Sequence, residues 1–93
     1  MTEPTRVRRR VVAVGRVQNV GFRESCRREA AIRGVVGYVR NRSDGAVEAE
    51  FEGDEGAVVG MVAWCRVGPR LARVERLDII DMATAGDTAF EVR

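Results

Sequence analysis

Over residues 46–52 the chain alternates without a break. Val47, Ala49 and Phe51 take the odd positions, and Glu48, Glu50 and Glu52 take the even ones. Successive side chains of a strand point to opposite faces of its sheet. The spacing therefore predicts a strand with one face on a core and the other toward water. Just upstream, Asn41-Arg42-Ser43-Asp44-Gly45 holds the strongest turn signal in the chain, Asp-Gly. Residues 35–40 before it are rich in β-branched and aromatic side chains, as a strand is. A central hairpin follows, and one apolar face of it must be covered by something else.

Two stretches with helical spacing can supply that cover. In residues 22–32, Phe22, Cys26 and Ala30 recur four apart, and Gly34 is placed to stop the helix. In the second, Asp54 is a candidate cap, and Val58, Met61, Val62 and Cys65 form the apolar stripe. Gly53-Asp54 breaks the preceding strand, Gly56 and Gly60 weaken the helix, and Gly68-Pro69 ends it. Trp64 reads as packing. Residues 6–14 and 73–82 read as strands, the latter with Val74, Leu77, Ile79 and Ile80 apolar. Residues 84–87 turn the chain into a short strand at 89–92, and residues 1–4 form a loose start. The order is β-α-β-β-α-β plus a short final strand. That is an α+β, ferredoxin-like sandwich, with an antiparallel sheet and both helices on one face. Ninety-three residues make one domain, 1–93.

Composition narrows the function. The chain is 45% hydrophobic and 32% charged, as ordinary globules are, and no apolar run reaches the roughly 20 residues of a membrane span. The N-terminus lacks the apolar core of a signal peptide, so a cytoplasmic protein without membrane or nucleic-acid partners is expected. Net charge is +2, and all sixteen basic residues are arginine. Arg6, Arg8, Arg9 and Arg10 read as a solvated strand end. Cys26 and Cys65 read as two small buried hydrophobes. Histidine is absent, which excludes a Ser-His-Asp triad, a histidine general base and every histidine-containing zinc set. Two cysteines cannot form a cysteine-only zinc site. The expectation is neither metal nor cofactor, and catalysis without the usual proton shuttle.

The remaining feature is the connection from the first strand to the first helix, Gly15, Arg16, Val17, Gln18, Asn19, Val20 and Gly21. A strand-to-helix loop presents main-chain N–H groups without partners at the positive end of a helix dipole. Such a place binds an anion, phosphate above all. Arg23, one residue into the helix, can grip two phosphate oxygens with its forked guanidinium. Gly15 and Gly21 can permit the turn, and Gln18 either touches the anion or braces the loop.

These residues resemble the acylphosphatase family. Its first signature, a small apolar residue followed by G-x-V-Q-G-V-x-F-R, is met by Val14-Gly15-Arg16-Val17-Gln18-Asn19-Val20-Gly21-Phe22-Arg23, with Asn19 where the family usually has glycine. Its second signature is met by Gly37-Tyr38-Val39-Arg40-Asn41, Gly45-Ala46-Val47 and Gly53. The resemblance implies hydrolysis of a carboxylic-phosphoric anhydride to carboxylate and inorganic phosphate, without metal or covalent phosphoenzyme. It gives Arg23 and the loop amides the phosphoryl group, and Asn41 the attacking water. A monomer acting on a small acyl phosphate is expected.

Elementary chemistry agrees with that reaction. The carboxylate leaving group has an ordinary pKa near 4 and needs no protonation. A loose phosphoryl transition state asks for positioning and for charge stabilisation, not for a strong base. Two other readings stay open: an RNA-binding module with the same element order, and a family member that binds anions without turnover. The first conflicts with glutamates, rather than aromatics, on the third strand's polar face.

Overall fold

The computed structural model describes residues 5–93. The loose start expected for residues 1–4 lies outside the described residues. In order, the elements are β1 (Arg6–Arg16), α1 (Phe22–Arg33), β2 (Val36–Asn41), β3 (Val47–Asp54), α2 (Glu55–Val67), β4 (Arg73–Met82) and β5 (Phe90–Val92). They build one five-stranded sheet among the described residues, in the order β4-β1-β3-β2-β5. β1 pairs antiparallel with β3 and β4, and β2 pairs antiparallel with β3. β5 pairs parallel with β2, so the sheet is mixed where an antiparallel one was expected. The reason is the path of the chain: from β4 at one edge it crosses β1 and β3, with Asp87 on Arg8 and the Ala85 and Gly86 amides on Glu52, to enter β5 at the other edge. No helix among the described residues is long and apolar enough to cross a membrane.

Both helices cover one face. Phe22, Cys26 and Ala30 of α1 and Val58, Met61, Val62 and Cys65 of α2 join Val11, Ala13, Val39, Val47, Ala49 and Phe51 of the sheet in a single buried cluster. The helical stripes read from sequence are those buried. Gly34 ends α1 in the left-handed conformation, with its N–H bonded back to Ala31. Trp64 packs edge-on to Phe22 with ring centroids 5.3 Å apart. Cys26 and Cys65 are both buried, and a hydrogen bond between the thiols, with burial, pushes the Cys26 pKa far up. They are inert packing groups. Asp54 precedes α2 but makes no side-chain cap bond, and β3 runs through Gly53 to Asp54 rather than breaking there; the Glu55 N–H at the helix start donates to the Thr5 carbonyl at 2.9 Å.

The other face departs most from expectation. Glu48, Glu50 and Glu52 are not wet: they are 7%, 7% and 0% exposed. Arg8 is not a solvated strand end either, at 6% exposed. The sheet register explains both, since it sets Arg8 opposite Glu52 and Arg10 opposite Glu50 on adjacent strands. Arg8 donates to Glu50 at 2.7 Å, to Glu52 at 3.2 Å and to Asp87 at 3.0 Å. Arg40 lies on Glu48, and the Tyr38 hydroxyl donates to Glu48 and Glu50. Burial opposes the charge of Glu52. The amides of Ala85 and Gly86, with Arg6 and Arg8, outweigh it and hold the carboxyl down at about 2. A layer of arginine stems over glutamates thus replaces the expected water, which is how long basic side chains cover a surface.

Candidate active site

The β1–β4 ladder shifts register between Val14 and Gly15, which pair with Arg76 and Val74, so the extra residue of the bulge is Glu75 on β4. A side chain on Gly15 would begin 2.2 Å from the Arg73 carbonyl oxygen, so only glycine fits this close approach. Gly15 and Arg16 therefore belong to the sheet, paired with Val74 and Arg73, and the free loop is shorter than residues 15–21. Val17 and Val20 anchor it by pointing into the core, 0% and 9% exposed. Between them, Asn19 turns the chain at φ 62°, the sole non-glycine with positive φ among the described residues. Asparagine is the side-chain-bearing residue best suited to that region. Gly21 then opens α1, and the first intrahelical bond runs from the Ser25 N–H to the Gly21 carbonyl. The amides of Phe22, Arg23 and Glu24 precede that ladder and have no intrahelical acceptor.

Gln18 has a structural task. Its Nε2 donates to the carbonyls of Arg42 at 2.7 Å and Ala46 at 3.0 Å, across the β2–β3 hairpin. The bond ties the loop to the segment that follows Asn41, so the distance between loop and asparagine is fixed. Asp44 closes the same hairpin by accepting the Ala46 N–H at 3.0 Å.

A cavity of about 260 Å³ opens at this junction, lined by Val17, Asn19, Gly21, Phe22, Arg23, Glu24, Asn41 and Val92. Arg23 and Asn41, from different elements, thus face one space. Gly15, Arg16, Gln18 and Val20 do not line it. Arg23 is exposed and donates from Nη1 to the main-chain carbonyl of Arg93 at 3.0 Å. Two lining residues carry no functional signal in the sequence, Glu24 and Val92. Phe22 belongs both to the first signature and to the apolar stripe of α1, and Val92 arrives from a three-residue strand far along the chain. The Glu24 carboxyl is held below its usual pKa, first by its hydrogen bond from Arg27, so it stays charged beside the cavity. Among the described residues, no group of three or more His, Cys, Asp or Glu is placed to hold a metal ion.

A tight turn and a helix start, set beside an arginine and a carboxamide in one small cavity, offer the kind of donors that an oxyanion takes. Comparison with known proteins makes the assignment specific. The Acylphosphatase family model matches residues 9–92. An acylphosphatase of Anaeromyxobacter dehalogenans is 51% identical over 89 residues, 95% of this chain and 96% of the relative. The structure of an acylphosphatase from Coxiella burnetii superposes with a TM-score of 0.93 at 30% identity, covering 100% of both chains. That of an acylphosphatase from Bacillus subtilis superposes with a TM-score of 0.90 at 33% identity, covering 94% of this chain and 98% of the other. The chain belongs to the acylphosphatase family and is a hydrolase acting on acyl phosphates.

Proposed function

We propose that the amides of residues 17–21 and of the first turn of α1, with the Arg23 guanidinium, hold the phosphoryl group, and that Asn41 orients the water that attacks it. The observation that carries this reading is the single cavity lined by Asn19, Gly21, Arg23 and Asn41. Arg23 keeps donors for the phosphoryl oxygens even with one engaged on Arg93, since a guanidinium has five. Asn41 can both accept from and donate to a water, which is what in-line placement requires. The carboxylate departs unprotonated. Gly15 and Arg16 shape the start of the loop, and the side chains of Gln18 and Val20 brace it, so that at 18 and 20 only the main chain serves the anion.

The same reading takes residues 1–93 as one domain, a cytoplasmic monomer that needs no metal or cofactor. Its substrate is a small acyl phosphate and its product inorganic phosphate. Nucleic acid is not a partner: the open sheet face is closed by its arginine–glutamate layer, and Tyr38, the aromatic there, is buried.

Steady-state hydrolysis of benzoyl phosphate tests the site. Asn41→Ala should lose about 10²–10³ in kcat, the usual effect of removing one fixed group where charge develops. Arg23→Ala should lose more, in KM and kcat together. Near-wild-type turnover in either variant removes that residue from the mechanism.

A further inference from the structure

Ten of the sixteen arginines lie within 4.0 Å of a carboxylate. The other six, Arg16, Arg23, Arg28, Arg66, Arg70 and Arg73, have no such partner among the described residues. Their distribution is uneven. β1 ends and β4 begins at Arg16 and Arg73, which are paired in the sheet, and α1 begins beside Arg23. Arg70 sits in the turn between α2 and β4, and Arg28 lies in the second turn of α1. Apart from Arg66, which faces a groove against β4, the uncompensated positive charge gathers at the end of the molecule that holds the cavity.

Two of these arginines share a trough. Arg28 and Arg70 line it with Ser25, Trp64 and Pro69. It continues past Ser25, Pro69 and Arg70 to Val20, in the loop whose amides form the cradle. Its one carboxylate, Glu29, is engaged by Arg33 at 3.6 Å. An apolar floor leads from the phosphate loop to two free guanidiniums.

We propose that this trough is a subsite for a second anionic group, and that the enzyme's preferred substrates are acyl phosphates whose acyl group carries a carboxylate of its own. The inference rests on the placement of the phosphoryl group in the cradle. The acyl chain lies over Val20, Pro69 and Leu71, and Arg28 and Arg70 meet its distal carboxylate. Neither arginine touches the reacting atoms. They set specificity through KM.

Succinyl phosphate and butyryl phosphate form a matched pair, equal in chain length and different in the distal charge. The wild-type enzyme should show the higher kcat/KM for succinyl phosphate, through a lower KM, and the preference should fade as salt is raised. Each arginine should account for about fivefold, one close charge contact in water. Arg28→Gln/Arg70→Gln should abolish the preference, raising KM for succinyl phosphate well beyond any change for butyryl phosphate. Arg28→Lys/Arg70→Lys should keep most of it, which separates charge from packing. Equal kcat/KM for the two substrates in the wild type, or a parallel loss on both in the neutralised variant, overturns the subsite. Absence of turnover on both substrates would instead sink the cradle assignment, and the subsite with it.

Discussion

Arg23 donates a hydrogen bond to the main-chain carbonyl of Arg93, seventy residues later, at 3.0 Å. The contact ties the residue after β5 to the proposed phosphate-binding arginine. Arg93 is itself fixed by its N–H on the Val39 carbonyl at 2.8 Å, and its guanidinium lies 4.2 Å from the centre of the Tyr38 ring. β5 begins at Phe90, which stacks on Phe51 at 5.9 Å, and β5 supplies Val92 to the cavity wall. An exposed arginine ordinarily samples many rotamers. Here a carbonyl held by the sheet selects one, which lowers the ordering cost of binding.

That relationship predicts a remote effect. Phe90→Ala should loosen β5 and release Arg23 from its acceptor. Phe90 is only half-buried, so the stability loss should be about 1–2 kcal/mol, below that of a core Phe→Ala change. The expected signature is a severalfold rise in KM and in the inhibition constant of inorganic phosphate, with kcat nearly unchanged. Unaltered phosphate inhibition alongside the stability loss would show that β5 does not position Arg23.

The buried arginine–glutamate layer predicts acid sensitivity with a definite sign. Glu52 titrates near 4.5 unfolded and at about 2 folded. Its stabilisation is therefore complete above pH 4.5 and lost as pH falls through about 2, because the unfolded chain binds the proton more tightly. The shift is worth about 3 kcal/mol. Urea midpoints measured from pH 7 down to pH 2 should fall steeply over that window in the wild type. Glu52→Gln should flatten the slope and cost about 3 kcal/mol at neutral pH, since Arg8 loses one partner but keeps Glu50 and Asp87. An acid limb of equal slope in the variant would assign the sensitivity elsewhere.

What the sequence made legible follows from what local patterns encode. Periods of 2 and 3.6 mark which residues share a face, so the element order and the stripes Phe22-Cys26-Ala30 and Val58-Met61-Val62-Cys65 were readable. The same periodicity is silent on what lies over a face. Water and arginine look alike from Glu48, Glu50 and Glu52 alone; the answer lay in Arg8 and Arg10, some forty residues away, placed by sheet register. Three residues of β5 are too few to encode a strand direction, which hid both its parallel pairing and Val92. At the site, Arg23 was legible from its place in the first helical turn after the loop, whereas Asn41 was marked by the family resemblance alone. Gln18 stayed ambiguous because its acceptors, the carbonyls of Arg42 and Ala46, exist only in the folded hairpin.

The Gln18 brace can be separated from catalysis. Gln18→Ala removes two hydrogen bonds that hold the loop against the hairpin, and leaves the carbonyls of Arg42 and Ala46 short of a donor. Each bond is worth about 1 kcal/mol net, so stability should fall by about 1–2 kcal/mol. Because the bond sets the spacing between cradle and Asn41, kcat should fall about tenfold, less than for Asn41→Ala. Thermal melts and benzoyl phosphate kinetics on one preparation check both. A loss of kcat as large as that of Asn41→Ala would mean that Gln18 touches the reacting group after all.

Asn19 provides the sharpest test of the loop backbone. At φ 62° a residue with a β-carbon is strained by roughly 1–2 kcal/mol, asparagine less than others and glycine not at all. Asn19→Ala should therefore destabilise the protein by about 1 kcal/mol and weaken phosphate inhibition, because relaxing the strain swings the loop amides off the anion. Asn19→Gly should keep the backbone path and remove the side chain from the cavity that it lines. Activity equal to or above wild type is expected for Asn19→Gly, since the amides alone do the binding. A loss in Asn19→Gly that matches Asn19→Ala would show the opposite, that the carboxamide itself contacts the substrate and that backbone conformation is secondary. Inhibition constants for inorganic phosphate, measured for both variants beside melting temperatures, decide between the two.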